Sequence, residues 1–159
     1  MPAPVLPDAI LTQLDLGMRV RLTLLIAPPA AGKTARLRQW QRTSVWPTAW
    51  LTLTPMHNAP ERFLFDLCNA LQRLCPVASA PETTLVDLVN SLLAVPGDFA
   101  VILDDYHILE AAPVHVLVTR LLDYPPPALH LFLASRAIPP LPLARWRARR
   151  QLLELWSGS

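Results

Sequence analysis

The stretch RLTLLIAPPAAGKTARLRQW, from Arg21 to Trp40, constrains the chain more than any other. Leu22 to Ile26 is a short, continuous, partly β-branched apolar run, which reads as a strand buried on both faces. It enters a turn rich in proline and alanine and then KTARLRQWQ, a segment that reads as a helix. A strand that needs cover on both sides excludes a simple helical bundle and an open, one-sided sheet.

The rest of the chain repeats this grammar. Eighteen prolines punctuate it into short elements. Thr48 to Leu53 reads as a second strand, closed by Pro55. Asn58 before Ala59-Pro60-Glu61 reads as a helix cap, with proline in the first turn and glutamate at the third position. Leu64, Leu67, Cys68, Leu71 and Leu74 follow at helical spacing up to Pro76, and Leu85, Leu88, Val89 and Leu92 mark another helix before Pro96-Gly97. Phe99 to Leu103 is a third buried strand, running into Asp104-Asp105. Val114, Leu117, Val118, Leu121 and Leu122 form a helical stripe before Pro125-Pro126-Pro127, and Leu129 to Ala134 is a fourth strand ending at Ser135-Arg136. A short helix within PPLPLARWRARR and a fifth strand from Gln151 to Leu155 complete the pattern. Alternating strands and helices predict a three-layer α/β fold with a mainly parallel sheet. At 159 residues, the chain has the length of one domain.

Composition narrows the function. The chain is 52% hydrophobic and 16% charged, whereas ordinary soluble domains carry roughly 25% charged residues. Part of its surface is therefore expected to lie against other domains or partners. No apolar run approaches the roughly 18 residues that span a bilayer. MPAPVLPDAIL lacks the basic and apolar regions of a signal peptide, so the expectation is a cytoplasmic protein with no membrane contact. Cys68 and Cys75, seven apart, read as packed reduced thiols.

Net charge is +2, too little to imply nucleic acid. The basic run Arg145, Arg147, Arg149 and Arg150 lacks a recognition-helix pattern or an aromatic platform, so it reads as a solvated or domain-facing surface. The basic residues are thirteen arginines and a single lysine, and that lysine is Lys33 in AAGKT. A compact ammonium on a flexible stem suits phosphate oxygens at such a turn.

Ala27-Pro28-Pro29-Ala30-Ala31-Gly32-Lys33-Thr34 matches the Walker A pattern except that alanine replaces its first glycine. The chemistry needs inward-facing N–H groups, a lysine for the outer phosphates and a hydroxyl on Mg²⁺. The N-terminus of the following helix adds its dipole. VILDD is the second element, an apolar strand that delivers carboxylates at its C-terminal end, as in a Walker B strand. In open α/β sheets ligands bind at that end. Asp104 would hold Mg²⁺ and Asp105 would orient or activate an attacking water. Arg136, ending the fourth strand, is a candidate sensor of the terminal phosphate. Chance GKT and acidic turns are the alternative, and two such motifs about 70 residues apart argue against it. His107 follows the acids and reads as a turn cap, with a catalytic base as the alternative, while His57, His115 and His130 show no metal-binding spacing. Trp40, Trp46 and Trp50 read as packing residues.

With these residues assembled, the chain resembles the nucleotide-binding domain of MalT-like, LuxR-type transcriptional regulators, within the STAND class of P-loop ATPases. The segments that carry the resemblance are IAPPAAGKT, AWLTLTPMHNAPERFLFDL, VILDDYHIL and LASRAIPPLPLARWRARRQLLEL, in family order through Leu155. The resemblance implies a sheet of order 5-1-4-3-2. It assigns Lys33 and Thr34 to the phosphates and magnesium, Asp104 and Asp105 to the Walker B pair, and Arg136 to the sensor position. Alanine is common in the family at position 27. Ala30 and Ala31 depart from it, since glycine and then often an aromatic are usual there. If position 30 is left-handed, alanine costs about 1–2 kcal/mol, and Pro29 removes a donor.

The expectation is one P-loop NTPase domain over residues 1–159, without the family's winged-helix, repeat sensor and helix-turn-helix regions. It would act as an ATP-binding switch of slow turnover, with ATP/ADP and Mg²⁺ as cofactors and neighbouring domains as partners. The family's DNA contact is not expected from these residues. A pseudo-ATPase that serves only as an interaction module is the second reading. A small-molecule kinase, the third, lacks a recognisable acceptor segment or lid.

Overall fold

A computed structural model describes residues 7–28, 32–74 and 83–156 of the chain. Pro29, Ala30, Ala31 and Cys75 lie outside the described residues.

The elements run α1 (Pro7–Leu16), β1 (Leu22–Ile26), α2 (Lys33–Thr43), β2 (Thr48–Thr52), α3 (Pro60–Leu71), α4 (Leu85–Leu92), β3 (Phe99–Asp104), α5 (Ala112–Asp123), β4 (Leu129–Ser135), α6 (Leu143–Ala148) and β5 (Leu152–Trp156). The five strands form one sheet of order β2-β3-β4-β1-β5, with every pairing parallel. This is the expected order read from the other edge.

Alternation along the strands builds two apolar layers. Leu22, Leu24, Val101, Leu103, Leu131 and Leu133 face the layer filled by Leu67, Cys68, Leu88, Val118 and Trp146 of α3 to α6. Leu25, Ala100, Ile102, Phe132 and Ala134 face Ile10, Leu14, Leu37 and Trp40 of α1 and α2. The central strands β1, β3 and β4 are buried at every position, whereas the edge strands β2 and β5 are largely half-exposed. That explains why the central strands are continuous apolar runs rather than alternating ones.

Three details depart from the sequence reading. Helix α1 was not anticipated: among its described side chains Ile10 and Leu14 are buried, with Met18 in the following 3₁₀ turn. It is tied down by the Trp40 indole, whose N–H donates to Asp15 at 2.8 Å. Asn58 does not cap α3, which starts after Ala59 with no side-chain cap. Instead its Oδ1 accepts the N–H groups of Glu110 and Ala111 at 2.7 and 2.9 Å, joining the loop after β2 to the loop after β3. Gln151 precedes β5 rather than opening it, because its N–H bonds back to Trp146 where Arg150 turns the chain at φ 57°.

In the arginine run, Arg145 pairs with Asp123 at 2.6 Å and Arg147 with Glu154, so these two charges are compensated within the domain. Among the described residues, no helix is long and apolar enough to cross a membrane.

Candidate functional site

The C-terminal ends of β1, β3 and β4 open on one edge of the sheet, and the chemistry collects there. Helix α2 begins at Lys33 behind Gly32, whose backbone is left-handed at φ 72°. A Cβ at Gly32 would meet nothing within 4 Å, so glycine is needed there for its dihedral rather than for space. Lys33 is 6% exposed, an unusual burial for lysine unless it is paired. Its Nζ stands 3.6 Å from Asp105 Oδ1.

Thr34, next on the helix, donates its hydroxyl to Asp104 Oδ2 at 2.8 Å. The other carboxylate oxygen of Asp104 accepts the Asp105 N–H at 2.9 Å, and Asp104 is 2% exposed. Helix start and strand end, 70 residues apart in sequence, therefore meet through two side-chain contacts.

Asp105 leaves the sheet with a left-handed backbone, φ 59° and ψ 41°, a conformation that aspartate tolerates better than most residues. The chain then makes the 3₁₀ turn Tyr106–Ile108. Tyr106 is anchored beneath it by donating to His115 Nδ1 at 2.9 Å, while His115 Nε2–H donates to the Leu109 carbonyl at 3.1 Å. Burial raises the Tyr106 hydroxyl's pKa and lowers that of His115, so both stay neutral in this pair.

The ring of His107 turns towards β4. Its Nδ1 accepts the Arg136 N–H at 3.2 Å. Burial lowers the His107 pKa first, and the nearby Arg136 charge second; Asp105 opposes them, Lys33 lowers it further, and Asp104 opposes. Arg136 itself is exposed, one residue beyond buried Ser135. Lys33, Asp104, Asp105, His107 and Arg136 thus share one electrostatic neighbourhood.

Of the residues expected to line the phosphates, Ala27 is buried and its N–H donates to the Ser135 carbonyl at 3.1 Å. That amide extends the sheet ladder instead of facing a phosphate. Pro28 is exposed and has no N–H. Gly32, Lys33, Thr34, Asp104, Asp105 and Arg136 all lie at this end of the sheet, and Pro29, Ala30 and Ala31 lie outside the described residues. The sequence offered His107 as a turn cap or a catalytic base; its bond to a residue 29 positions away left no local signal.

The donor set suits a nucleotide with magnesium. Among the described residues no group of three or more His, Cys, Asp or Glu forms a metal cage. Thr34 and Asp104 offer two hard oxygens, in keeping with Mg²⁺, which keeps waters and takes phosphate oxygens for its remaining positions. A cavity of about 700 Å³ bordered by Leu64, Leu85, Val89, Leu117 and Tyr124 includes none of these residues. The histidines elsewhere are used structurally: His57 Nε2 bonds Asp66 at 2.8 Å, and His130 bonds the Val20 carbonyl at 2.8 Å.

No protein-family model matches the chain. In sequence it is similar to the HTH-type transcriptional regulator MalT of Yersinia enterocolitica, 31% identical over 164 residues, covering 95% of this chain and 18% of that protein. The MalT of Serratia proteamaculans is 32% identical over 165 residues, again covering 95% of this chain and 18% of the relative. The chain thus spans about 18% of the length of these relatives, and the match falls in their N-terminal region. In structure it is similar to Cdc6p from Pyrobaculum aerophilum, with TM-score 0.62, 18% identity, and coverage of 98% of this chain and 48% of that one. The ORC1 protein of Aeropyrum pernix, solved in complex with DNA, gives TM-score 0.62 and 17% identity, covering 96% and 44%. At these identities the likeness is one of fold alone, a parallel five-stranded sheet flanked by helices.

Proposed function

We propose, from the premise of a chain MalT-like in sequence over 95% of its length and P-loop ATPase-like in fold, that residues 1–159 form a regulatory nucleotide-binding domain. It binds ATP with Mg²⁺, hydrolyses it slowly, and uses the difference between ATP and ADP to set its packing on neighbouring domains or partners. Contact with DNA belongs to other regions of such regulators.

The observation that carries this reading is the Thr34–Asp104 hydrogen bond beside the Lys33–Asp105 ion pair. A chance strand-to-helix turn has no reason to bring a hydroxyl and an ammonium against two carboxylates where another strand ends.

In this reading Lys33 presents its ammonium at the N-terminus of α2, where the helix dipole also favours anions. Thr34 and Asp104 would hold magnesium, which when bound offsets phosphate charge. Asp105 is the carboxylate that orients or deprotonates an attacking water, once phosphate oxygens have drawn Lys33 away from it. Arg136 responds to the terminal phosphate.

Calorimetry with Mg-ATP and Mg-ADP on this chain and on Lys33→Ala tests the reading. Binding to the wild type that is lost in a folded Lys33→Ala supports it. Equal binding by both proteins, or no heat from the folded wild type, sinks it; the latter outcome favours the interaction module, for which Pro29-Ala30-Ala31 argues. An Ala30→Gly variant that recovers binding would locate the defect in the loop.

A further inference from the structure

The bond between His107 and Arg136 is not used by any step above. It occupies a particular gap. Strand β3 pairs with β4 only as far as Leu103 opposite Leu133, because Asp105 turns the chain out of the sheet. On its other side β4 pairs with β1 up to Ser135 opposite Ile26. Arg136 is therefore the first residue of β4's extension without a strand beside it, and its N–H meets the His107 ring instead. The imidazole nitrogen takes the place of the carbonyl that a longer β3 would supply.

We propose that His107 is a positioning residue for Arg136: by accepting the Arg136 amide, it holds the root of that exposed side chain against the acidic turn, so that the guanidinium is aimed at the terminal phosphate. This rests on the reading of the site as nucleotide-binding. The ring must be neutral, with its proton on Nε2, to accept at Nδ1; its burial and the Arg136 charge both favour that form. The same 3₁₀ turn that carries His107 starts directly after Asp105, so a residue held by the His107 ring is held close to that acid.

The test uses three variants of the full chain. In His107→Asn, the side-chain oxygen sits near the Nδ1 position and can accept the same N–H. In His107→Gln the acceptor is one carbon further out, and His107→Ala has none. Mg-ATP and Mg-ADP affinities are measured by calorimetry, and exchange of the Arg136 amide proton by NMR. His107→Ala and His107→Gln are expected to lose ATP-over-ADP preference by up to about tenfold, the worth of one hydrogen bond, with ADP affinity within about twofold. Their Arg136 amide is expected to exchange faster, and His107→Asn to retain both properties. An Asn variant that behaves like Ala, or ADP affinity that falls in step with ATP, would overturn the proposal. Unchanged Arg136 exchange in the Gln variant would overturn it whether or not nucleotide binds. A wild type that binds neither nucleotide would overturn the underlying reading separately, since the exchange measurement reports the contact without ligand.

Discussion

Asp105 illustrates how much a single residue does at this site. Its left-handed backbone takes the chain out of the sheet, and its carboxylate neutralises Lys33. With a side chain that is 36% exposed, the pair is partly screened, so its worth is about 1 kcal/mol or less. Asp105→Asn is therefore expected to bind Mg-ATP roughly two- to five-fold more tightly while hydrolysing it more slowly, a divergence that calorimetry and phosphate release resolve. Weaker binding would mean that the carboxylate organises the loop rather than competing for the lysine. A second residue has no visible role: the Thr23 hydroxyl is buried without a hydrogen-bond partner among the described residues. Replacing it with an isosteric apolar group removes only an unsatisfied oxygen. Thr23→Val should leave the urea midpoint unchanged or raise it by the equivalent of up to about 1 kcal/mol. The identities of Lys33, Thr34, Asp104 and Asp105 were legible because each is a chemical type at a motif position. Their pairings were not, since Lys33 had two carboxylates to choose from.

At the scale of elements, the turns after the strands matter more than the strands. Tyr106, His115 and the Leu109 carbonyl lock the turn that carries Asp105 and His107 onto α5. His115 holds its pKa below the ordinary value of 6.5 because it is buried. The unfolded chain therefore takes up that proton first as pH falls. Stability from this group is complete above about pH 6.5 and is lost progressively as pH drops towards the folded pKa. His107 acts in the same direction. Urea unfolding at pH 5 and pH 7.5 should show lower stability at pH 5. In His115→Asn, which can still accept from Tyr106 but does not titrate, the difference should shrink. An unchanged difference would remove His115 as a cause. Periodicity predicted the strands and most helices, because burial on one or two faces writes itself into the residue pattern. Turns were less legible: Asn58 looked like a cap, yet its partners are 52 and 53 residues away.

For the whole molecule, the sheet needs both of its layers. Helix α1 closes the layer over Leu25, Trp40 and Phe132, with Leu14 fully buried. Leu14→Ala should cost about 2–5 kcal/mol in chemical unfolding, in the range of core leucines; a negligible loss would mean that α1 is not part of the cooperative unit. The sequence alone determined the alternation of elements, the buried centre of the sheet and the residue types at the C-terminal ends of its central strands. Apolar period and motif chemistry are local properties, readable without knowing what packs on what. The order of strands came from resemblance rather than from pattern. Only the tertiary structure decided that α1 covers the second face, that Ala27 spends its amide on the sheet ladder, and that His107 holds Arg136. Each depends on which groups lie within hydrogen-bond reach or packing contact after the chain has folded, and that proximity has no local signature.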